Sequence, residues 1–593
     1  AKEGLGSRRA VLSPLWMLRP DGRVPTDEPM GLTHRERQAE SGDDADDDHQ
    51  LLRSMPDHDV ANSKSKRNNL RTIGIAVISI LAVATVMHGM LREWTDANIL
   101  RAATWNVAAI NNNPFEYWIT HDDADYNKLM EDVQDFISEP GLRDVSVGSV
   151  FTPAMWAELK GLMAARQWAG LDEVEQRWTD DFSKRLIISG FMKDKALGEK
   201  RLASMPDRVT NTINTADGKV ANRPTVINCF SGHMETVDAW WKEWKKFMFD
   251  TTLELPSGSK MIPADMLGKI KRSKYPAVTA EEELISIPLQ TLAQAIFDAT
   301  LVHIVNSVSP KAKWQQLQQQ MCDSLNRKKD ENTLAILANT YSDTDVFFLQ
   351  ETANAFIRKA TTNDQLSTRF FLAKSATPDA KRDQNSLMLL SRSYFREQTL
   401  MEHTNAVMGS FDKSVPVATG DLLVVSVQDM LDRHYLLASF HGDTNGLATL
   451  PVLDAVHKLA QTMPDHRLVF GLDANTYTVG TSKLQGVTEF AAAFVAAGYS
   501  SCWGDIPNPS SPTTFNARTY LQPQLQKAAR TDEKVSKGDV NPKDFILFPK
   551  SAYSVTSAIK DNTGKRRYIE GMVFPTLHFP SDHGLVWTQL KVL

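Results

Sequence analysis

The chain has 593 residues, 42% of them hydrophobic, a formal net charge of -6 and a pI near 6.2. That length allows several domains and a large core, while the acidic balance excludes a general nucleic-acid coat and leaves room only for a local basic surface. Three cysteines, Cys229, Cys322 and Cys502, are too few and too scattered for a disulfide framework or a zinc cluster, so each reads as a small buried hydrophobe.

Residues 1–70 lack hydrophobic periodicity and carry the acidic run ESGDDADDDHQ, the composition of a disordered tail. The run IGIAVISILAVATVMHGML, residues 73–91, then holds no Asp, Glu, Lys or Arg. At about 1.5 Å per residue a helix of this length spans roughly 28 Å, close to a bilayer core, which predicts a transmembrane segment over 71–94. Lys64, Lys66, Arg67 and Arg71 precede it and Arg92 alone follows closely. The positive-inside rule puts the N-terminus in the cytosol and the long C-terminal part across a membrane, as a single-pass signal anchor. Against that orientation stands the lack of any Asn-x-Ser/Thr acceptor with a permitted middle residue, since Asn508 is followed by Pro509.

Past the anchor, RAATWNVAAI is an apolar, β-prone run broken at Asn106, where the chain turns into NNNP. A long stretch of helical pattern follows, with apolar residues near the 3.6 period in DADYNKLMEDVQDFI, PAMWAELKGLMAARQWAGLDEVEQRW, METVDAWWKEWKKFMFD and PLQTLAQAIFDATLVHIVN. Most of the chain's 13 tryptophans fall in it. They read as core, with AWWKEWKKF offering the alternative of an aromatic and basic surface for membrane headgroups or a polymeric substrate.

Next, DVFFLQET is a strand whose apolar run stops at Glu351, a carboxylate placed as a hard-cation ligand. NSLMLLSRSYF, DLLVVSVQDM and RHYLLASFHGDTNG read as three more strands, the first leading to Arg392 and the last to His441. The helix TLPVLDAVHKLAQTM returns the chain to RLVFGLDANTY, a strand ending in Asp473 and Asn475, an i and i+2 pair on one face of extended backbone. A further helix, VTEFAAAFVAAGY, precedes the loop SPTTFNART. KDFILFPK then opens a strand at Asp544, and PSDHGLVW sets Asp582 against His583 at the start of the last one.

The ordered series of strand-end amide, glutamate, histidine, Asp-x-Asn, aspartate and Asp-His resembles the endonuclease/exonuclease/phosphatase superfamily, the deoxyribonuclease I-like fold. TWNV, FLQE, SFHGDTNG, GLDANT, KDFI and PSDHGLV carry the resemblance over residues 101–113 and about 332–593. It implies an α/β (α+β) four-layer α/β/β/α sandwich, two mostly antiparallel sheets face to face with helices outside, and an active site where strand ends meet. It further implies a magnesium-dependent phosphodiesterase, with manganese as a substitute. In that scheme Glu351 is the principal metal ligand, supported by Asn106 and Asp582. Asp544 orients His583, His583 and Asp473 share water activation and proton delivery, Asn475 donates to a phosphate oxygen, and His441 contacts the phosphate or leaving group. Arg392 is the candidate phosphate contact on the substrate side.

Asn106 and Glu351 stand 245 positions apart, where the resemblance implies a few tens, so a helical, tryptophan-rich insertion interrupts the domain. The organisation expected is a tail (1–70), a transmembrane helix (71–94), the first part of the catalytic domain (98–114), the insertion (115–328) and the remainder of the catalytic domain (329–593). NPKDFILF lacks the Trp-Cys-Asp-Arg stretch of inositol 5-phosphatases, and GLDANT differs from the Gly-Asp-Thr-Asn of DNA-end phosphodiesterases at that site. The expectation is therefore a membrane-anchored, nuclease-type phosphodiesterase acting on nucleic acid or nucleotide-like diesters. A phospholipid or sphingomyelin phosphodiesterase is the first alternative; the second is a catalytically silent scaffold whose insertion binds a protein partner.

Overall fold

The computed structural model describes residues 98–593 except 380, 381, 413 and 524–537. The expected tail, and the expected membrane span at 73–91, lie outside the described residues. Those described belong to one compact unit, Met87–Leu593, and none of their helices is long and apolar enough to cross a membrane.

Twelve strands build two sheets. In chain order they are β1 (Ile99–Asn106), β2 (Val346–Thr352), β3 (Phe370–Lys374), β4 (Asn385–Ser391), β5 (Phe395–Glu402), β6 (Leu422–Asp429), β7 (His434–His441), β8 (His466–Asp473), β9 (Tyr499–Ser501), β10 (Asp544–Pro549), β11 (Tyr553–Asp561) and β12 (Leu585–Val592). The first sheet runs β11-β12-β1-β2-β4-β3 and the second β9-β10-β8-β7-β6-β5. Only β1 with β2, and β7 with β8, pair in parallel; the other pairs are antiparallel.

Strand periodicity sorts the layers. In β2, Val346 and Phe348 face the space between the sheets, while Phe347 and Leu349 face outward against the segment Lys329–Thr340 and the helix Asn354–Thr362. In β8, Val469 faces inward, and Leu468, Phe470 and Leu472 pack on the helices Thr449–Thr462 and Val487–Ala496. This alternation, period two, gives the α/β/β/α order. Each fully buried aliphatic or aromatic side chain adds roughly 1.5–3 kcal/mol. The sheets approach so closely at Gly471 that a Cβ there would sit 2.4 Å from the Phe348 ring; no larger residue fits without moving β2.

Between β1 and β2 the chain forms a helical body with its own core. The helix Ser286–Val308 runs through its centre, buried over most of its length. Trp240, Trp244 and Trp314 are fully buried, and Trp241 nearly so. The indole N–H of Trp240 donates to the Pro224 carbonyl (2.9 Å) and that of Trp244 to Asp298 (3.0 Å). The aromatic residues of AWWKEWKKF are therefore interior, with Lys242 and Lys246 exposed, and the alternative of an exposed aromatic surface fails because every tryptophan in it packs inward.

At the centre of this body Arg223 and Asp298, both fully buried, form a two-pronged pair: Arg223 Nε and Nη2 donate to the two oxygens of Asp298 at 2.8 and 3.2 Å. Asp207 accepts a further bond from Nη2 at 2.8 Å, and Thr225 donates to Asp298 at 2.7 Å. Every charge is met, which is the condition for burying one.

Two cysteine expectations need correction. Cys229 and Cys322 form a disulfide across 93 positions. The side-chain amide of Gln318, one turn before Cys322, donates to the carbonyls of Val226 and Asn228, which seats the helix Lys313–Cys322 on the Cys229 loop. Cys502 is buried and free, its thiol pushed up to about 12 by burial.

Candidate active site

The parallel pair β1/β2 of one sheet and β7/β8 of the other end on the same side of the sandwich. β1 brings Asn106, β2 brings Glu351, β7 brings His441 and β8 brings Asp473. The antiparallel β10 begins at that edge with Asp544, directly opposite Asp473 in register. His583 arrives just before β12. A polar bridge lies beneath the cluster: the buried Gln350 side chain donates to Thr104 on β1 and to Ser439 on β7, each at 3.1 Å, joining the two sheets.

Local backbone aims several of these groups. Glu351 has a φ of 56° and Asn475 of 48°, left-handed conformations that non-glycine residues adopt at a cost and that concentrate at functional sites. At Glu351 the pairing of β2 with β4 slips between Leu349 and Thr352, a bulge that re-aims the side chain. Gly446 (φ 70°) ends the loop after His441, where a Cβ would lie 2.7 Å from the Asn475 carbonyl oxygen. Asp443 in that loop accepts from the Ala448 and Asn445 amides, so it shapes the turn. In PSDH, Ser581 donates to the Asn106 carbonyl (2.6 Å) and accepts from the His583 amide (3.0 Å), while the Trp105 indole donates to the His583 carbonyl (2.9 Å).

The side chains meet closely. Asn106 Nδ2 donates to Asp473 (2.9 Å) and Glu351 (3.3 Å). Glu351 Oε2 also accepts the Ala109 amide (2.8 Å), and its Oε1 lies 3.2 Å from His441 Nε2. His583 Nδ1 donates to Asp544 (3.1 Å), whose other support is the Thr513 hydroxyl at 2.5 Å. That bond leaves Nε2 facing Asp473 Oδ2 at 3.7 Å. Asn475 donates to the Gly442 carbonyl (2.8 Å).

Burial opposes a charged imidazole at His583, but Asp544 and Asp473 outweigh it and raise the ring to about 10. Burial likewise pushes Asp544 up against the pull of His583. At Glu351 burial works upward, yet His441, the Ala109 amide, His583 and Asn106 hold the carboxyl below its ordinary value.

Asp582 and Arg392 stand apart from this cluster in different ways. Asp582 lines the same open cleft as Glu351 and His583, a space of about 490 Å³, where its Oδ2 accepts from Tyr117 (2.9 Å) and Asn516 (3.4 Å). Arg392 is not brought to the site. β4 runs antiparallel to β2, with Asn385 opposite Thr352 and Leu390 opposite Val346, so the residue after Ser391 emerges at the far end of the sheet. There Arg392 is exposed and pairs with Glu397.

Other residues of the site were not read from the sequence. Lys543, 3% exposed, donates to Asn475 Oδ1 (2.8 Å) and Asp539 (2.6 Å). Burial works against its charge, but Asp539 and Asp473 raise it above the ordinary lysine value. Lys329, also buried, donates to the Ala109 carbonyl (3.3 Å); burial lowers it, against the attraction of Asp582 and Glu351. Tyr117 and Arg518 line the cleft together. Lys543 directly precedes Asp544, the one sequence cue for any of these.

The donor set fits a hard divalent cation. Glu351 and Asp582 line one cleft and offer carboxylate oxygens, suited to magnesium or manganese rather than to the nitrogen and sulfur chemistry of zinc, while Asn106 supports Glu351 through its amide nitrogen and turns its oxygen to the Ala108 N–H. Asp473, Asp544 and His583 also approach within 4.8 Å of one another. Asp544 is already committed to His583 and Thr513, so that trio works better as a carboxylate–histidine relay than as a metal cage.

Comparison with known proteins adds the following. Residues 144–319, within the helical body, match a family described as a domain of unknown function (DUF8234). No curated protein matches the chain. Similar solved structures include D. rerio TDP2 complexed with single strand DNA product, at 15% identity and a TM-score of 0.31, covering 45% of this chain and 94% of that one. An endonuclease/exonuclease/phosphatase from Bacteroides vulgatus shows 12% identity and a TM-score of 0.32, with 46% and 94% covered. The human Nocturnin catalytic domain with bound sulfate anion shows 12% identity and a TM-score of 0.28, with 45% and 87% covered. These neighbours are endonuclease/exonuclease/phosphatase-superfamily proteins.

Proposed function

We propose that the chain is a divalent-metal-dependent phosphodiesterase of nuclease type, tethered to a membrane through residues 73–91. The observation that carries this reading is the relay Asp544–His583 facing Asp473, set beside the Asn106–Glu351–His441 group at one edge of the two sheets. Hydrolysis of a phosphodiester needs charge neutralised on the phosphoryl oxygens, a deprotonated water and a proton for the leaving oxygen.

Glu351 and Asp582, with Asn106 supporting Glu351, would hold magnesium, which when bound supplies Lewis-acid polarisation of the phosphate. Asp544 and Asp473 favour the charged imidazole at His583, and with Nδ1 held on Asp544 it donates from Nε2 to a phosphoryl oxygen. Asp473, the carboxylate opposite, accepts the proton of the attacking water. His441 faces the same site from β7 and donates to the leaving oxygen. Lys543 holds Asn475 by its side-chain oxygen, which leaves the Asn475 amide fixed on the loop after His441.

The experiment is to incubate the full chain with magnesium or chelator and offer plasmid DNA, structured RNA, sphingomyelin and phosphoinositides in parallel. His583→Ala serves as the blank. Magnesium-dependent cleavage of a nucleic acid, lost in the variant, is the expected result. Cleavage of the lipids alone would replace the substrate class, and cleavage equal in the variant would remove the assignment of His583.

A further inference from the structure

A second cavity, about 1040 Å³, lies in the helical body. Two segments contribute to both it and the catalytic cleft. Arg208, on the helix Ser204–Thr210, lines the cavity and Asn211, at that helix's end, lines the cleft; Tyr520 lines the cavity and Arg518, two residues earlier, the cleft. The two spaces are therefore neighbours.

The cavity is basic in a chain whose net charge is -6. Lys195, Arg201, Arg208 and Lys274 line it and have no ion-pair partner among the described residues. Of its two carboxylates, Asp194 is committed to Arg185 at 2.6 Å, which leaves Glu199 as the one acid set against these cations. Aromatic rings sit among these cations: the guanidinium of Arg201 lies 6.0 Å, and the ammonium of Lys274 5.7 Å, from the centre of the Tyr275 ring, with Tyr520 on the same wall. Arg201 has a φ of 61°, strained backbone of the kind that clusters at ligand clamps.

We propose that this cavity is a track for single-stranded nucleic acid that leads the chain into the catalytic cleft. The proposal rests on the phosphodiesterase reading above and gives its substrate class. Unpaired cations follow a phosphate backbone, and the half-buried rings of Tyr275 and Tyr520 on the cavity wall offer stacking that only unpaired bases can use. A membrane surface fits less well, because the apolar side chains of the wall, Phe191, Met192, Leu197 and Phe297, belong to or pack on the core of the helical body, and the exposed large hydrophobic residues, such as Leu142, Leu186 and Ile506, lie outside the cavity.

The test measures fluorescence anisotropy of a labelled oligothymidylate, about 12 nucleotides long to cover a single-strand site, binding the full chain in chelator. It compares the unmodified protein with the Arg201→Glu/Arg208→Glu double variant and with Tyr275→Ala, at several salt concentrations. The double variant is expected to bind at least ~10-fold more weakly, with a salt slope shallower by about 1.4 for two lost phosphate contacts. Tyr275→Ala, which leaves the charge intact should the double variant misfold, is expected to lose roughly 5-fold or more. Hydrolysis of bis(4-nitrophenyl) phosphate, too small to reach the track, stays unchanged in both.

Binding equal to the unmodified protein in both variants overturns the proposal. So does tighter, Arg201-dependent binding of phosphatidylserine vesicles than of the oligonucleotide. Failure of the phosphodiesterase reading would appear differently, as no hydrolysis of the small diester by the unmodified chain while oligonucleotide binding stays measurable.

Discussion

Replacing Asp544 with Asn tests the relay at its support. His583 is buried and its imidazole is raised from 6.5 to about 10, a difference worth on the order of 5 kcal/mol at about 1.36 kcal/mol per pH unit. Burial opposes this, so the whole gain comes from neighbouring carboxylates, with Asp544 the leading one. A raised histidine is charged below the folded value and loses its proton, and the associated stabilisation, as pH rises through about 10. The unmodified protein should therefore keep its kcat/KM for bis(4-nitrophenyl) phosphate up to about pH 9 on the alkaline side. Asp544→Asn keeps the size of the side chain and one acceptor oxygen for His583 Nδ1, gives up the acceptor for Thr513 and removes the main attraction, so the alkaline limb should fall by ~2 pH units or more. An alkaline limb at the same pH in both proteins would refute the assignment of His583 as a cationic donor held by Asp544.

In the helical body, Asp298→Ala strands the fully buried Arg223; urea unfolding should show a loss of about 3–5 kcal/mol, and a loss under about 1 kcal/mol would mean that water or Asp207 compensates. Reduction of Cys229–Cys322 opens a loop of 93 positions and should cost ~2–4 kcal/mol, read as a lower Tm in reductant that Cys322→Ser reproduces. Lys543→Met unties Asn475 and leaves Asp539 without its buried cation; a 10- to 100-fold loss in kcat is expected, from about 1.5–3 kcal/mol for a charged hydrogen bond, with circular dichroism unchanged. A kcat within two-fold of the unmodified protein would show that Asn475 needs no such support.

Much of the site was legible because each strand of this fold announces its own end. VFFLQE, YLLASFH and LVFGLDAN are largely apolar runs that give way to polar residues at their ends, and the structure sets Glu351, His441 and Asp473 together at one edge. Contacts made across the chain left no such mark. Tyr117 meets Asp582 over 465 positions, and no local pattern joins a tyrosine after NNNP to the last strand. Arg392 also follows an apolar run, but the antiparallel run of β4 turns its start, not its end, to the cleft. Nothing local marks Lys543 as buried; two acceptors, Asn475 and Asp539, make its burial tolerable. The disulfide escaped for a related reason: spacing alone cannot pair two cysteines that a helix brings together only after folding.

The central claim is that Glu351 and its neighbours form a metal-dependent phosphodiester-cleaving site, and one assay addresses it most directly. The full chain and Glu351→Gln are given bis(4-nitrophenyl) phosphate with magnesium, with chelator, and with magnesium restored after chelation. Hydrolysis is expected to disappear with chelator, return with magnesium, and fall at least ~100-fold in Glu351→Gln, whose fold is confirmed by circular dichroism. Hydrolysis that survives chelation, or proceeds equally in the variant, would contradict it.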